Sequence, residues 1–239
     1  MSEEEVEKRS LQDLDTILVA AQELSIKLVL IGGYAVAAYT RGYRYTKDID
    51  LVADKPAVGR LKGLLRSLSY SIRETEFGLA GSKRLNKGFI DLHISVGRIY
   101  DVSTGKEYPV DSSLFKNAKH LTVKGYISKT SSLKAPVVDL ETLIVMKTMT
   151  VRRDKDTMDL LSLFRDRRDG IDITLVAERA KAADLVEHLL DRIRDYARRL
   201  REGELDEVWF NVTATRLPHT EKREIGRLFS KLTELFRRS

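Results

Sequence analysis

Apolar residues recur at helical spacing over residues 6–24, where Leu14, Ile17, Leu18, Ala21 and Leu24 share a side and Ser25 closes the segment. The next six residues, IKLVLI (26–31), form an unbroken apolar run that reads as a buried strand feeding into Gly32 and Gly33. YAVAAYTR then predicts a short helix closed by Gly42, so strand, glycine turn and helix follow in order. TKDIDLVAD predicts the next strand, followed by a helix from about Ala57 to Leu68 and strands near 70–77 and 89–96. Residues 97–135 are rich in Gly, Ser, Thr and Lys, and HLTVKGYIS within them suggests strands around a turn. Past Asp139, a good helix cap, the period becomes helical in LETLIVMKTMT and in three further blocks at 157–166, 173–201 and 220–237. VWFNVTATRLP, between the last two, fits either a strand or an irregular link. The pattern predicts an α/β (α+β) chain in two parts: a mixed sheet flanked by helices over 1–135 and a helical lobe over 136–239.

Two acids interrupt the second strand. Alternate strand residues share a face, so Asp48 and Asp50 point one way while Ile49 and Leu51 point into the core. Like charges held this close raise each other's pKa and destabilise the fold unless something positive lies between them. FIDLHISV (89–96) repeats the arrangement, with Ile90, Leu92, Ile94 and Val96 on one face and Phe89, Asp91, His93 and Ser95 on the other. If these strands are neighbours, Asp48, Asp50 and Asp91 converge and can hold a pair of divalent cations for phosphoryl chemistry. Asp101 and Asp111 are the alternatives for the third acid, in less strand-like surroundings. Gly32 and Gly33 let backbone approach a ligand at a helix start, where free N–H groups favour phosphate; a tight turn alone would also account for them.

Composition narrows the chemistry. The chain has no cysteine and four histidines, none paired at ligand spacing, which leaves carboxylates for hard cations such as Mg2+ or Mn2+. No Gly-x-Gly-x-x-Gly follows the first strand, which argues against a dinucleotide-binding oxidoreductase. No apolar run is long enough to span a bilayer, and MSEEEVEKRS lacks the features of a signal peptide, so a cytoplasmic location is expected. Only five Gln and Asn residues among many charges resemble thermophile usage. The net charge of +6 is modest, but six basic residues face two acidic ones from Lys222 to Ser239. That end permits contact with nucleic acid without establishing it, since a charged helix is more often a solvated face.

The glycine turn, the helix and the Asp-x-Asp strand (Gly32, Gly33, Asp48, Asp50) resemble the nucleotidyltransferase superfamily typified by DNA polymerase β. DLETLIVMKTMTVRRDKDTMDLLSLF (139–164) is similar to the helix, Lys, Arg and Lys-Asp-x-x-Asp-Leu segment of minimal bacterial and archaeal members, including toxins of abortive-infection and toxin–antitoxin systems. The resemblance covers roughly residues 26–165. It implies transfer of a nucleoside monophosphate from an NTP to an acceptor hydroxyl on RNA or tRNA, a protein or a small molecule, with release of pyrophosphate. Asp48 and Asp50 would bind both metals and hold the triphosphate, and Asp91 would bind the second metal and help deprotonate the acceptor. Lys147, placed on the polar side of its helix, would touch the triphosphate; its other reading is a solvated lysine. Arg152 or Arg153 would add charge, and Asp156 and Asp159 read as helix-capping acids. An antitoxin protein is a partner by resemblance only. The alternative is an inactive nucleotide- or RNA-binding scaffold of the same fold.

Overall fold

The computed structural model describes residues 2–86, 88–150 and 154–238. The chain falls into two compact units, the first comprising Met1–Ala38, Tyr45–Tyr100 and Tyr108–Asp139 and the second Tyr39–Arg44, Asp101–Glu107 and Leu140–Ser239.

The first unit opens with α1 (Glu3–Glu23), whose Ser2 and Glu5 form a capping box while three glutamates in the first turn complement the helix dipole. Its apolar stripe, Leu11, Leu14 and Ile17, is fully buried. There follow β1 (Leu28–Leu30), α2 (Gly32–Tyr39), β2 (Ile49–Ala53), α3 (Val58–Ser67), β3 (Ser71–Thr75), β4 (Gly78–Arg84) and β5 (Phe89–Val96). β6 (Arg98–Asp101), β7 (Lys106–Pro109), α4 (Ser112–Asn117), β8 (Lys119–Lys124) and β9 (Ser132–Val137) complete the strand-bearing part of the chain. The mixed sheet runs β3-β4-β5-β2-β1-β9-β8, with β6 and β7 off this path. β1 is antiparallel to β2 and parallel to β9, and β2 is parallel to β5. The sequence pattern gave one strand near 70–77, whereas the structure folds a β3–β4 hairpin there. GLAGSKR in β4 has no β-branched residue and two glycines, so it carries little strand signal of its own.

Glu7 of α1 is completely buried, and its carboxylate accepts hydrogen bonds from the N–H groups of Tyr126 (2.9 Å), Ile127 (2.8 Å) and Ser128 (2.9 Å) and from Ser128 Oγ (3.2 Å). One anion thereby satisfies three consecutive backbone donors in the turn between β8 and β9. Glu7→Gln keeps the shape but turns donors toward donors, so it is expected to lower unfolding free energy by about 2–3 kcal/mol in urea denaturation.

The second unit holds α5 (Leu140–Met149), α6 (Asp154–Asp166), α7 (Ile173–Ala182), α8 (Val186–Glu202), α9 (Glu204–Thr213) and α10 (His219–Arg238). Every residue of α5 is buried. The predicted 173–201 block is two helices, broken where Asp184 takes a positive φ of 55°. VWFNVT, left between strand and link by its sequence, is helical. Its β-branched and aromatic residues weaken the helix signal, but Leu205, Val208 and Trp209 bury at i, i+3, i+4 and tertiary packing wins. On α10 the apolar stripe buries Ile225, Phe229, Leu232 and Phe236, with Phe229 edge-on to Phe164 of α6 at 5.0 Å. Among the described residues, no helix is long and apolar enough to cross a membrane.

Candidate active site

The Ile31 N–H donates to the Asp50 carbonyl (2.9 Å), so the β1–β2 pairing reaches the residue before the glycine turn. Gly32 then takes φ +70° and hands the chain to α2, with Gly33 in its first turn. A Cβ at Gly32 would stand 2.1 Å from Asp50 Oδ2 and 2.7 Å from Asp50 Cβ. The glycine is required because the Asp50 side chain lies against the backbone of the turn. A carboxylate and the start of a helix thus share one small space.

β2 and β5 are neighbours, with Asp50 paired to His93 and Ile49 to Leu92. Ile49, Leu51, Ile90, Leu92 and Ile94 are buried, while Asp50, Asp91 and His93 lie on the opposite face with side chains 29%, 42% and 59% exposed. Asp48 directly precedes β2. His93 Nδ1 is 3.4 Å from Asp50 Oδ1. That contact raises the imidazole pKa against the opposing effect of burial, and the fields of Asp48 and Asp91 push it the same way. One imidazole therefore senses all three acids. Asp91 Oδ2 is 3.8 Å from the ammonium of Lys47, which also donates to the Phe89 carbonyl at 3.1 Å. The two alternative acids have local work. Asp111 caps α4, and Asp101 accepts from the N–H groups of Ser103 and Thr104.

Three carboxylates without thiolate are the donor type that a hard divalent cation takes. Among the described residues, no three His, Asp or Glu side chains are gathered closely enough to hold a metal ion. Asp50 is turned toward His93 and Asp91 toward Lys47, so the donors fit such a cation in kind and in face.

Lys147 belongs to the second unit, and its position corrects the sequence reading. It is neither on a polar helix side nor solvated. It is buried in α5, with Nζ 2.7 Å from Asp159 Oδ2. Asp159 is likewise no helix cap, since it lies inside α6 and is 2% exposed. Arg44 grips the same carboxylate through Nε (2.6 Å) and Nη2 (2.7 Å). Burial alone would raise the Asp159 pKa, but Lys147 and Arg44 outweigh it and hold the group below the usual carboxylate range. Sequence reasoning did not find Arg44 or Lys47. Their only signal is that both precede Asp48 within four residues. Arg152 and Arg153 lie outside the described residues.

Comparison with known proteins bears on the family and the fold. Residues 16–234 match the family described as nucleotidyl transferase AbiEii toxin, type IV toxin–antitoxin system. No curated protein matches the chain. Among solved structures, JHP933 from Helicobacter pylori is similar at 14% identity and a TM-score of 0.53, over 100% of this chain and 95% of that one. ANT(2'')-Ia, solved in complex with adenylyl-2''-tobramycin, is similar at 16% identity and a TM-score of 0.51, over 73% of this chain and 96% of that one. These two likenesses are of fold. The match across 16–234 spans nearly the whole sequence, and the chain is a nucleotidyltransferase that belongs to the AbiEii toxin family of type IV toxin–antitoxin systems.

Proposed function

We propose that the protein transfers a nucleoside monophosphate from an NTP to an acceptor hydroxyl, releasing pyrophosphate, with Mg2+ or Mn2+ held by Asp48, Asp50 and Asp91. The observation that carries this reading is the parallel β2–β5 pairing, which sets Asp50 and Asp91 on one face, with Asp50 against the Gly32 turn. When bound, the cations offset charge on the phosphate oxygens as the acceptor attacks. Asp48 and Asp50 would hold both cations, and Asp91, which would hold the second, draws the acceptor hydroxyl and takes its proton. The first N–H groups of α2, at Gly32 and Gly33, are free to receive the phosphate tail, and Lys147 of the second unit is the other residue proposed to bind nucleotide. Acceptors compatible with this chemistry are RNA or a tRNA end, a protein hydroxyl and a small molecule. ANT(2'')-Ia illustrates the last by its bound adenylyl-tobramycin.

The test is to incubate the protein with MgCl2 and each α-32P-labelled NTP in turn, with total RNA, total protein or an aminoglycoside. Label is expected on one acceptor class, and chelation by EDTA is expected to remove it. Absence of transfer to all three classes would rule against the enzyme and favour the scaffold.

A further inference from the structure

We infer that Arg44 is a positioning residue for NTP binding, acting through Asp159 on Lys147. This rests on the proposed contact between Lys147 and the triphosphate. It goes beyond that contact in naming the group that keeps the lysine available.

A Lys–Asp pair by itself is a poor phosphate site. The acid neutralises the ammonium, and both side chains rotate toward whichever arrangement satisfies them. Here the guanidinium fork of Arg44 takes both oxygens of Asp159, which fixes the carboxylate plane and matches its charge. Lys147 shares Oδ2 at 2.7 Å, a contact that uses one of the three N–H donors of its ammonium. Counted together, these three groups carry one net positive charge. The cluster is well shielded, with side chains 3% exposed at Asp159, 11% at Lys147 and 21% at Arg44.

The anchoring of Arg44 suits the same role. Its segment is tied to the end of α6 at several points. The Arg41 N–H donates to Asp166 Oδ2 (2.8 Å), Tyr43 Oη donates to Asp166 Oδ1 (2.8 Å), and Arg167 Nε donates to the Tyr39 carbonyl (2.5 Å). Arg165 Nη1 adds a bond to Tyr43 Oη (2.6 Å). The guanidinium is thus presented from a fixed backbone, four residues before Asp48 in the chain. Stability alone does not explain a lysine here. In a helix with every residue buried, an apolar residue of similar volume packs at least as well as an ion pair.

The experiment is a double-mutant cycle on NTP affinity. ATP, GTP, CTP and UTP are each titrated with MgCl2 onto wild type, Lys147→Met, Arg44→Met and the double variant, with a thermal melt for each protein. Lys147→Met is expected to weaken the best-bound NTP about tenfold. Arg44→Met is expected to weaken it to a similar degree, and the double variant to be within about threefold of Lys147→Met alone, because both changes remove one interaction. Arg44→Lys keeps the charge and loses the fork, so it is expected to recover only a minor part of the affinity, and it replaces Arg44→Met in the cycle should that variant not fold. Losses that multiply in the double variant, or an Arg44 change without effect beside a damaging Lys147→Met, would overturn the inference and leave the Lys147 contact standing. A silent Lys147→Met would instead overturn that contact, and this inference with it.

Discussion

The double variant Asp48→Ala, Asp50→Ala folds normally and loses nucleotide transfer by about four orders of magnitude, or about 5.5 kcal/mol of transition-state stabilisation. The two parts of this expectation come from the same geometry. Asp50 is part-exposed and on the polar face of β2, while the stability of the strand comes from Ile49, Leu51 and Val52 in the core. Removing one or both acids takes like charge off a crowded spot, so the melting temperature should hold or rise. In the proposed reading it also strips the carboxylates that would hold the cations neutralising the triphosphate. Initial rates with labelled NTP, beside melting curves for both proteins, check the pair of statements. An inactive but destabilised variant would point to a structural role, and a stable, active one would remove these acids from the chemistry. Asp91→Ala alone asks the same question of the third position, where the 3.8 Å approach of Lys47 already meets the negative charge.

Much of the first unit was legible because its signals are local. Alternation in FIDLHISV and in DIDL marks Ile49, Leu51, Ile90, Leu92 and Ile94 as buried whatever the sheet order, and a glycine pair between a strand and a helix marks a change of direction. What alternation does not carry is which strands lie side by side. The parallel neighbourhood of β2 and β5 depends on a chain path through α3 and the β3–β4 hairpin, and half of that hairpin has almost no strand propensity. The acids of the second unit show the other limit. Asp159 reads as a capping acid in a stretch rich in Asp, but it is the sixth residue of α6, and its true surroundings come from Lys147 twelve positions earlier and Arg44 a hundred and more positions earlier. Long-range ion pairs have no periodicity to read. The same holds for Glu7, whose partners lie in a turn between two later strands.

Gly32→Ala should be nearly as damaging to activity as loss of the aspartates, by a different route. Two penalties fall on the new methyl group. A left-handed φ of +70° costs an L-residue about 1–2 kcal/mol, and the methyl carbon would stand 2.1 Å from Asp50 Oδ2 and 2.7 Å from both Cβ and Cγ of the same residue. Cβ is fixed by the strand, so rotating the carboxylate does not relieve the contact, and either the turn or β2 must move. The expected result is a stability loss of about 2–4 kcal/mol together with a transfer rate reduced by roughly a hundredfold or more. Gly42→Ala separates the two penalties. That glycine has nearly the same φ, +73°, but no atom within 4 Å of a Cβ built there, so it should show the conformational cost alone and retain transfer. Equal effects of the two substitutions on rate would mean that the approach of the turn to Asp50 is a matter of folding only. A wide gap between them, read from melts and initial rates on the same preparations, ties the backbone at Gly32 to the placement of the Asp50 carboxylate.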